Sequence, residues 1–420
     1  MSVEKDIRKI MKQKVVVIGH GYTSRLGVIR ALGRCGFYIV DVAISSDLQR
    51  LRKQKPKPID AYSCFVDEFY YAPANKDDLI KFLLNRFANE VQKPVLFPES
   101  DFVASAIDAA YDRLTPFFYL PNIDDKQGQM LYWMDKNLQK ARAKTFGLNV
   151  AGSHIIEIRN GQFSIPGDIK FPCFAKPIST LHGGKKGVGK CETTQELVER
   201  LKLISSFQPS MDVMVEDYLQ IDKEYALVGF SDGNNVIIPG IIHITHLGQG
   251  NHFGVAVAGK VLPPEPFETL IEQFKKLISS IRFVGIFDID FFGCDNQYYF
   301  GEINMRFGGS GTAIIASSDN LPQKYVDFLS KGVYDSYVAN VANEATFVNE
   351  RMCHDEWYAG VISNEKYHTL TEGADISFVK DENDAKPYHK YLAQHRVAVI
   401  KKLLKNLRLY LPINAIILSL

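Results

Sequence analysis

Residues 287–309, FDIDFFGCDNQYYFGEINMRFGG, carry the densest set of groups able to do chemistry: three aspartates, a glutamate, asparagines and an arginine on two apolar runs and the turn between them. A strand turns alternate side chains to one face. Asp288 and Asp290 therefore share a face, and Glu302, Asn304 and Arg306 share one on the partner run. Paired across the CDN turn, two carboxylates and an amide oxygen would surround a hard cation, with a guanidinium beside them. That is the composition of a magnesium–phosphate site, and the GGSG that follows lets backbone approach a ligand closely. A solvated strand face with ordinary ion pairs is the plainer reading. The apolar YYF beside ExNxR argues against it, because a buried carboxylate needs a counter-charge.

Cations that could meet a phosphate lie earlier in the chain. FPCFAKP (171–177) reads as a strand bearing Lys176, and GKKGVGK (184–190) follows with Lys185, Lys186 and Lys190. The spacing is close to a P-loop, but Cys191 stands where Ser or Thr would meet magnesium, and a long loop separates the strand from the helix expected at 194. A glycine loop closing over phosphates with backbone N–H donors and lysines reads better. The segment HITHLGQGNHFG holds His243, His246 and His252. Alternation turns His243 and His246 to opposite faces, which argues against joint zinc ligation. A polar hairpin rim is the expectation there, with substrate contact by His246 or His252 as the sharper alternative.

These groups need a scaffold. KVVVIGH (14–20), a helical GYTSRLGVIRALGRCGF and then YIVDVAIS make a strand, glycine turn, helix and strand, the opening of a parallel α/β domain. VLFPESD (95–101) repeats the pattern before FVASAIDAAYDRL. The loops Gly19–Ser24 and Pro98–Asp101 then fall at the carboxyl ends of strands and should line a cleft. Gly19, Gly21 and Gly27 lack the GxGxxG spacing of a dinucleotide site, so a structural turn beside a substrate cleft is expected. Beyond a basic helix at Asp135–Gly147, the chain from 171 onward alternates as α+β. Strands are expected near 236–245 and 253–258, a helix over Pro266–Ile281, and the GIFDIDFFG and QYYFGEINM hairpin after it. The divisions read as 1–125, a parallel α/β domain; 126–220, a small lid subdomain; 221–330, a catalytic subdomain with the metal site; and 331–420, a C-terminal extension.

Composition narrows the function. The 420 residues are 46% hydrophobic and 23% charged, and 49 basic side chains against 48 acidic leave a formal +1. No global field favours nucleic acid. Six scattered cysteines without a CxxC pair suit a reducing cytoplasm better than a zinc framework. No run approaches the roughly 18 apolar residues that span a bilayer.

In this order along the chain the segments resemble the ATP-grasp superfamily, over residues 14–325. MDKNLQKARAKTFGLNV is similar to the helix that opens the nucleotide domain of D-alanine–D-alanine ligases, and FPCFAKP to the strand bearing their second phosphate lysine. The resemblance implies Lys136 and Lys176 on phosphate oxygens, with Lys140 and Lys144 as rivals to Lys136. VMVEDYLQIDKEYAL resembles the adenine-side segment. There Glu216, Asp217 and Leu219 would edge the purine and Glu224 would accept from the ribose. Asp290, Glu302 and Asn304 would hold two magnesium ions, with manganese as a substitute, Asp288 being the rival to Asp290. Arg306 would steady the transferred phosphoryl group, acting with Lys176. FPESD and the open N-terminal loop resemble D-aspartate ligases and other carboxylate–amine ligases more than the D-alanine enzymes. The implied activity is ADP-forming ligation of an amino acid or small carboxylic acid to an amine through an acyl phosphate, as in envelope precursor or peptide synthesis. Bicarbonate phosphorylation like that of carbamoyl phosphate synthase, and a nucleotide sensor without turnover, are the alternatives.

After Asp384 no acidic residue occurs, while HRVAVIKKLLKNLRLYL places apolar residues at helical spacing among Lys and Arg. Such an end could lie on anionic lipid as a peripheral contact. A terminal helix packed on the core or in a homodimer is the plainer expectation. TLTEGADISFVKDENDAK before it reads as a strand and turns.

Overall fold

The computed structural model describes residues 12–20, 22–178, 187–249 and 254–410. Strands Val66–Pro73, Tyr38–Ser45, Lys14–Gly19 and Val95–Pro98 lie in that order in a parallel four-stranded sheet. The apolar runs of the last three are buried on both faces, as parallel sheets require, while Val66–Pro73 forms the half-buried edge. The helix Tyr22–Arg34 follows the first strand, and its Arg25 is wholly buried. Arg25 pairs with Asp41 at 2.9 Å and with Asp60, and donates to the Gly19 carbonyl at 2.7 Å. One internal cation thus pins the loop expected at the cleft. Gly27 sits against Thr312, where a side chain would begin 2.2 Å from Oγ1, so it serves helix packing and does not face the cleft. Gly21 lies outside the described residues.

A second, nine-stranded sheet runs Gln297–Asn304, Phe283–Cys294, Lys223–Asp232, Ile241–Leu247, Ala256–Leu262, Ala345–Val348 and Ile376–Ser377, with Val236–Ile237 and Asn122–Ile123 at its margins. Strand alternation sorts its two faces. Tyr225, Leu227, Phe287, Ile289 and Phe291 pack on the helix Glu268–Ile281, whose Ile271, Phe274, Leu277 and Ile278 form the facing stripe. Ala226, Val228, Ile242 and Ile286 face the other way and share one core with Val15, Val17, Ile39 and Phe97 of the parallel sheet. Asp288 and Asp290 lie on that second side, toward the parallel sheet. The core runs on without a break between the segments read as 1–125 and 221–330.

The third sheet, Ser153–Ile158, Met211–Asp217, Cys173–Pro177 and Gly189–Cys191, is antiparallel and packs on the helix Thr194–Phe207. Gly189–Cys191 is a strand, which no P-loop has after its lysine. The basic helix Lys136–Thr145, capped by Asp135, packs on the large sheet: Gln139 donates to the Ile303 carbonyl and accepts from its N–H.

Residues 331–420, expected as an extension, contribute Ala345–Val348 and Ile376–Ser377 to the large sheet itself. The segment 369–386, read as a strand and turns, does hold the strand Ile376–Ser377, but its first residues, Thr369–Glu372, close a helix, Asn364–Glu372, capped by Ser363. The side-chain cap on the Lys366 N–H decides this locally. The last helix, Ala385–Tyr410, is held in its first half by the protein's own core. Tyr391 and Leu392 pack on Ile59 and Val379, and Arg351 reaches Gln394 at 2.8 Å. No helix among the described residues is long and apolar enough to cross a membrane.

Glu350 ties the strand Ile376–Ser377 to its surroundings by accepting from Ser377 Oγ and from the Phe378 and Val379 N–H groups. Burial pushes its pKa from 4.5 up to about 7, against the pull of those backbone donors. The folded protein therefore binds a proton that the unfolded chain has already released. Its stabilising contribution is complete below about pH 4.5 and is lost as pH rises through about 7. Comparing thermal unfolding from pH 5 to 8 should show a steeper fall in wild type than in Glu350→Gln. Parallel curves would contradict this.

Candidate active site

The aspartate strand Phe283–Cys294 and the glutamate strand Gln297–Asn304 form an antiparallel hairpin turned by Asp295 and Asn296, both at positive φ (50° and 60°). Asp290 stands opposite Glu302 and Asp288 opposite Asn304. A register shift follows Asp290, where a side chain on Gly301 would begin 2.7 Å from the Asp290 carbonyl oxygen. The Asn304 amide nitrogen donates to Asp290 Oδ2 at 3.3 Å, and Glu302 Oε2 lies 2.6 Å from Lys136 Nζ. One face thus gathers two carboxylates and an amide, and a lysine from a separate helix joins them.

Electrostatics separate the carboxylates. Burial and then the Glu302 charge push Asp290 up to about 6. Burial also works against ionised Glu302, but Lys136 and Lys176 more than offset it and its pKa is lowered. Asp288 is raised well above its usual value by burial and by Asp290. Its Oδ1 is buried without a hydrogen-bond partner, and a side chain on Gly308 would collide with its Oδ2. Asp288 is therefore wedged under the glycine run, with Arg306 Nη1 3.7 Å away, while Asp290 keeps company with Glu302 and Asn304. Crowded buried carboxylates of this kind are what a divalent cation relieves, so the residues present fit a hard cation. Among the described residues, no three His, Cys, Asp or Glu side chains form a ready ligand set, so Asn304 is needed to complete this one.

Opposite this hairpin, Glu216 at the end of the strand Met211–Asp217 holds two lysines, Lys140 at 2.6 Å and Lys176 at 2.8 Å. Lys140 also donates to the Ala151 carbonyl at 2.9 Å. Burial opposes the charged form of Glu216, but Lys176 and Lys140 lower its pKa. The three rival lysines of one helix are thereby told apart: Lys136 serves the hairpin, Lys140 serves Glu216 and the lid sheet, and Lys144 is exposed. Asp217 turns toward Gly152, where a side chain would begin 2.3 Å from Oδ2, and Leu219 is half-buried beyond it. Glu224 pairs in register with Phe292 and Ile244, on the same side of the large sheet as Asp290. Lys185, Lys186 and His252 lie outside the described residues.

Beyond the hairpin, Arg306 leaves the glutamate strand and donates from Nε to Asp101 Oδ1 at 3.1 Å. Asp101 opens the helix Asp101–Ala109, at the end of the segment FPESD. Beside it, His20 Nδ1 lies 3.3 Å from Ser100 Oγ, and Ser24 donates to Glu99. Both N-terminal loops expected at the cleft are thus adjacent and connected to the metal-type cluster through Arg306. The His243 ring lies tilted with its centroid 5.0 Å from that of Tyr225, whereas His246 is buried and bonded to Glu356 at 2.7 Å. A β-bulge between Ile244 and His246 breaks the alternation that would set the two rings on opposite faces, and His246, being buried, is no hairpin rim. Glu356, 110 positions away, had no local signal to mark it.

A family model for the ATP-grasp domain matches residues 141–320. The carbamoyl phosphate synthase large chain of Agathobacter rectalis is 27% identical over 144 residues, 34% of this chain. That match spans only 13% of the relative's own length. The formate-dependent phosphoribosylglycinamide formyltransferase of Sulfurovum sp. is 23% identical over 75% of this chain and 79% of its own. Among solved structures, an L-amino acid ligase from Bacillus licheniformis superposes with a TM-score of 0.57 at 15% identity, over 80% of this chain and 79% of that one.

Proposed function

Residues 141–320 are an ATP-grasp domain, and from that premise we propose that the protein is an ADP-forming, magnesium-dependent ligase that joins a small carboxylic or amino acid to an amine. The observation that carries the reading is the double junction across the cleft: Lys136 on Glu302, and Lys176 with Lys140 on Glu216. Cations from two separate elements converge on the side where the hairpin offers carboxylates. A polyphosphate would replace Glu302 on Lys136 and Glu216 on Lys176 as the anionic partner, leaving Glu216 engaged with Lys140.

In this reading Asp290, Glu302 and Asn304 hold the magnesium, which supplies charge neutralisation for the phosphate oxygens. Manganese would substitute. The segment Glu216–Leu219 edges the purine by its backbone, since the Glu216 carboxylate is engaged, and Glu224 accepts from the ribose. Lys136, Lys176 and Arg306 neutralise the phosphoryl oxygens as the substrate carboxylate attacks the γ-phosphorus. The bond to the β-phosphate oxygen breaks and ADP leaves. The amine then forms its bond to the acyl carbon, inorganic phosphate departs and the amine loses a proton. The protein supplies positioning and water exclusion and needs no nucleophile of its own. Lipid contact by the basic end would rest on exposed Val397 and Ile400 and on residues beyond them, and the ligase reading does not require it.

The test is ADP release from MgATP with formate, bicarbonate or pooled amino acids, with and without hydroxylamine to trap an acyl phosphate as a hydroxamate. Carboxylate-dependent ADP release with hydroxamate is expected. Stimulation by bicarbonate alone would favour the carbamoyl-phosphate-like chemistry. ATP binding without stimulated release by any carboxylate would favour the sensor.

A further inference from the structure

The strand Gln297–Asn304 ends the large sheet, so the backbone groups on its outer side have no further strand to bond. Other partners take them. Nearer the turn, the Phe300 N–H donates to the Asn149 carbonyl at 2.8 Å. At Ile303, between Glu302 and Asn304, a single side chain takes both groups. Gln139 Nε2 donates to the Ile303 carbonyl at 2.9 Å, and Gln139 Oε1 accepts from the Ile303 N–H at 2.8 Å. An amide that gives and accepts against one residue stands in for a neighbouring strand. Gln139 is 1% exposed and Ile303 4%, so the clasp is shut off from water.

The helix that carries this amide also carries the cation of the hairpin. Lys136 precedes Gln139 by three residues, on the same side of the helix, and its Nζ lies 2.6 Å from Glu302 Oε2. The clasp on Ile303 and the ion pair on Glu302 are thus neighbouring ties between the same two elements. The ion pair joins the ends of two long side chains and does not by itself set where the strand lies. The clasp acts on backbone and does. Gln139 Nε2 also donates to the Trp133 carbonyl at 2.7 Å, so the amide is held from its own side of the junction and cannot turn away from the strand. Fixing the Ile303 backbone fixes the starting points of the side chains on either side of it, Glu302 opposite Asp290 and Asn304 opposite Asp288.

We propose that Gln139 is a positioning residue for the metal cluster: by clasping the Ile303 backbone it holds the Glu302 and Asn304 oxygens at the spacing a divalent cation needs, at a constant distance from the Lys136 ammonium. The inference rests on the metal site of the ligase reading and deepens it. Loss of the amide strands the buried Ile303 N–H and carbonyl and lets the strand shift against its helix. Cation binding weakens, while the Glu216–Leu219 segment, which begins on another sheet, keeps its place.

Two affinities are measured on the full chain: Mn²⁺ with saturating ADP, from the free-ion paramagnetic signal, and ADP in EDTA, by calorimetry. Thermal unfolding is followed alongside. Gln139→Met keeps the length of the side chain and removes its hydrogen bonds. It should weaken Mn²⁺ binding about tenfold or more, with the metal-free ADP affinity within about twofold. If it does not fold, Gln139→Asn, whose amide is one carbon too short to reach both Ile303 groups, carries the same expectation. A folded variant with native Mn²⁺ affinity, whatever its melting temperature, overturns the proposal and leaves Gln139 a support of the fold alone. An equal loss of both affinities overturns it too. A wild-type chain that binds ADP but no Mn²⁺ overturns the metal reading of the hairpin and this inference together.

Discussion

Glu302→Gln will lower kcat for carboxylate-dependent ADP release on the order of a thousandfold, about 4 kcal/mol of barrier, while the protein stays folded. The amide keeps an oxygen for Lys136, now 2.6 Å from the carboxylate, so that buried ammonium retains a partner. What is lost is the negative charge that Lys136 and Lys176 maintain by lowering the pKa of Glu302 against burial. Glu302→Ala goes further and leaves Lys136 without its counter-charge, so it should also lower the melting temperature. Cation affinity offers a readout independent of turnover. Titrating Mn²⁺ in the presence of ADP and following the free-ion paramagnetic signal should show tight binding by wild type and weak binding by Glu302→Gln. A glutamine variant with native Mn²⁺ affinity and native turnover would remove the hairpin from the mechanism.

That hairpin was the part of the site most open to sequence reasoning, because a period-two pattern and a two-residue turn mark it out, although the turn alone would set Asp290 opposite Gly301 and the bulge after Asp290 is what brings Glu302 opposite it. Tertiary contacts decided the remainder. Spacing left Asp288 and Asp290 equivalent; the difference lies in Gly308, which brings backbone against Asp288, and in Asn304, which bonds Asp290. Helical spacing likewise left Lys136, Lys140 and Lys144 as rivals, and their separate partners on other elements distinguish them. The parallel strands were legible from their apolar runs. Ala345–Val348, four residues long and defined by its pairing with Ala258–Val261, was not. The division into separate N-terminal and catalytic blocks missed that Val15, Phe97, Val228 and Phe307 belong to one core, a fact that no local pattern encodes.

Arg306→Lys is the second large effect expected, because the guanidinium connects three things that a lysine cannot reach together. Its Nε bonds Asp101 at 3.1 Å, and its Nη1 lies 3.7 Å from Asp288 and 3.3 Å from the Phe307 carbonyl. Burial opposes its charge, yet Asp101 and Asp288 hold its pKa above the usual value, so the cation is permanent. A lysine keeps the charge but presents a point donor on a flexible stem. It would leave either Asp101 or Asp288 without its partner, and the phosphoryl oxygens without a planar fork. A fall in kcat of about a hundredfold with the ATP KM changed less than about threefold is the expected outcome. Asp101→Asn separates the two roles Arg306 could have. If Arg306 only ties the N-terminal sheet to the catalytic strands, both variants should lose kcat equally and lower the melting temperature alike. If it steadies the transferred phosphoryl group, Arg306→Lys must be the more damaging to kcat by tenfold or more, since Asp101→Asn leaves the guanidinium in place beside Asp288.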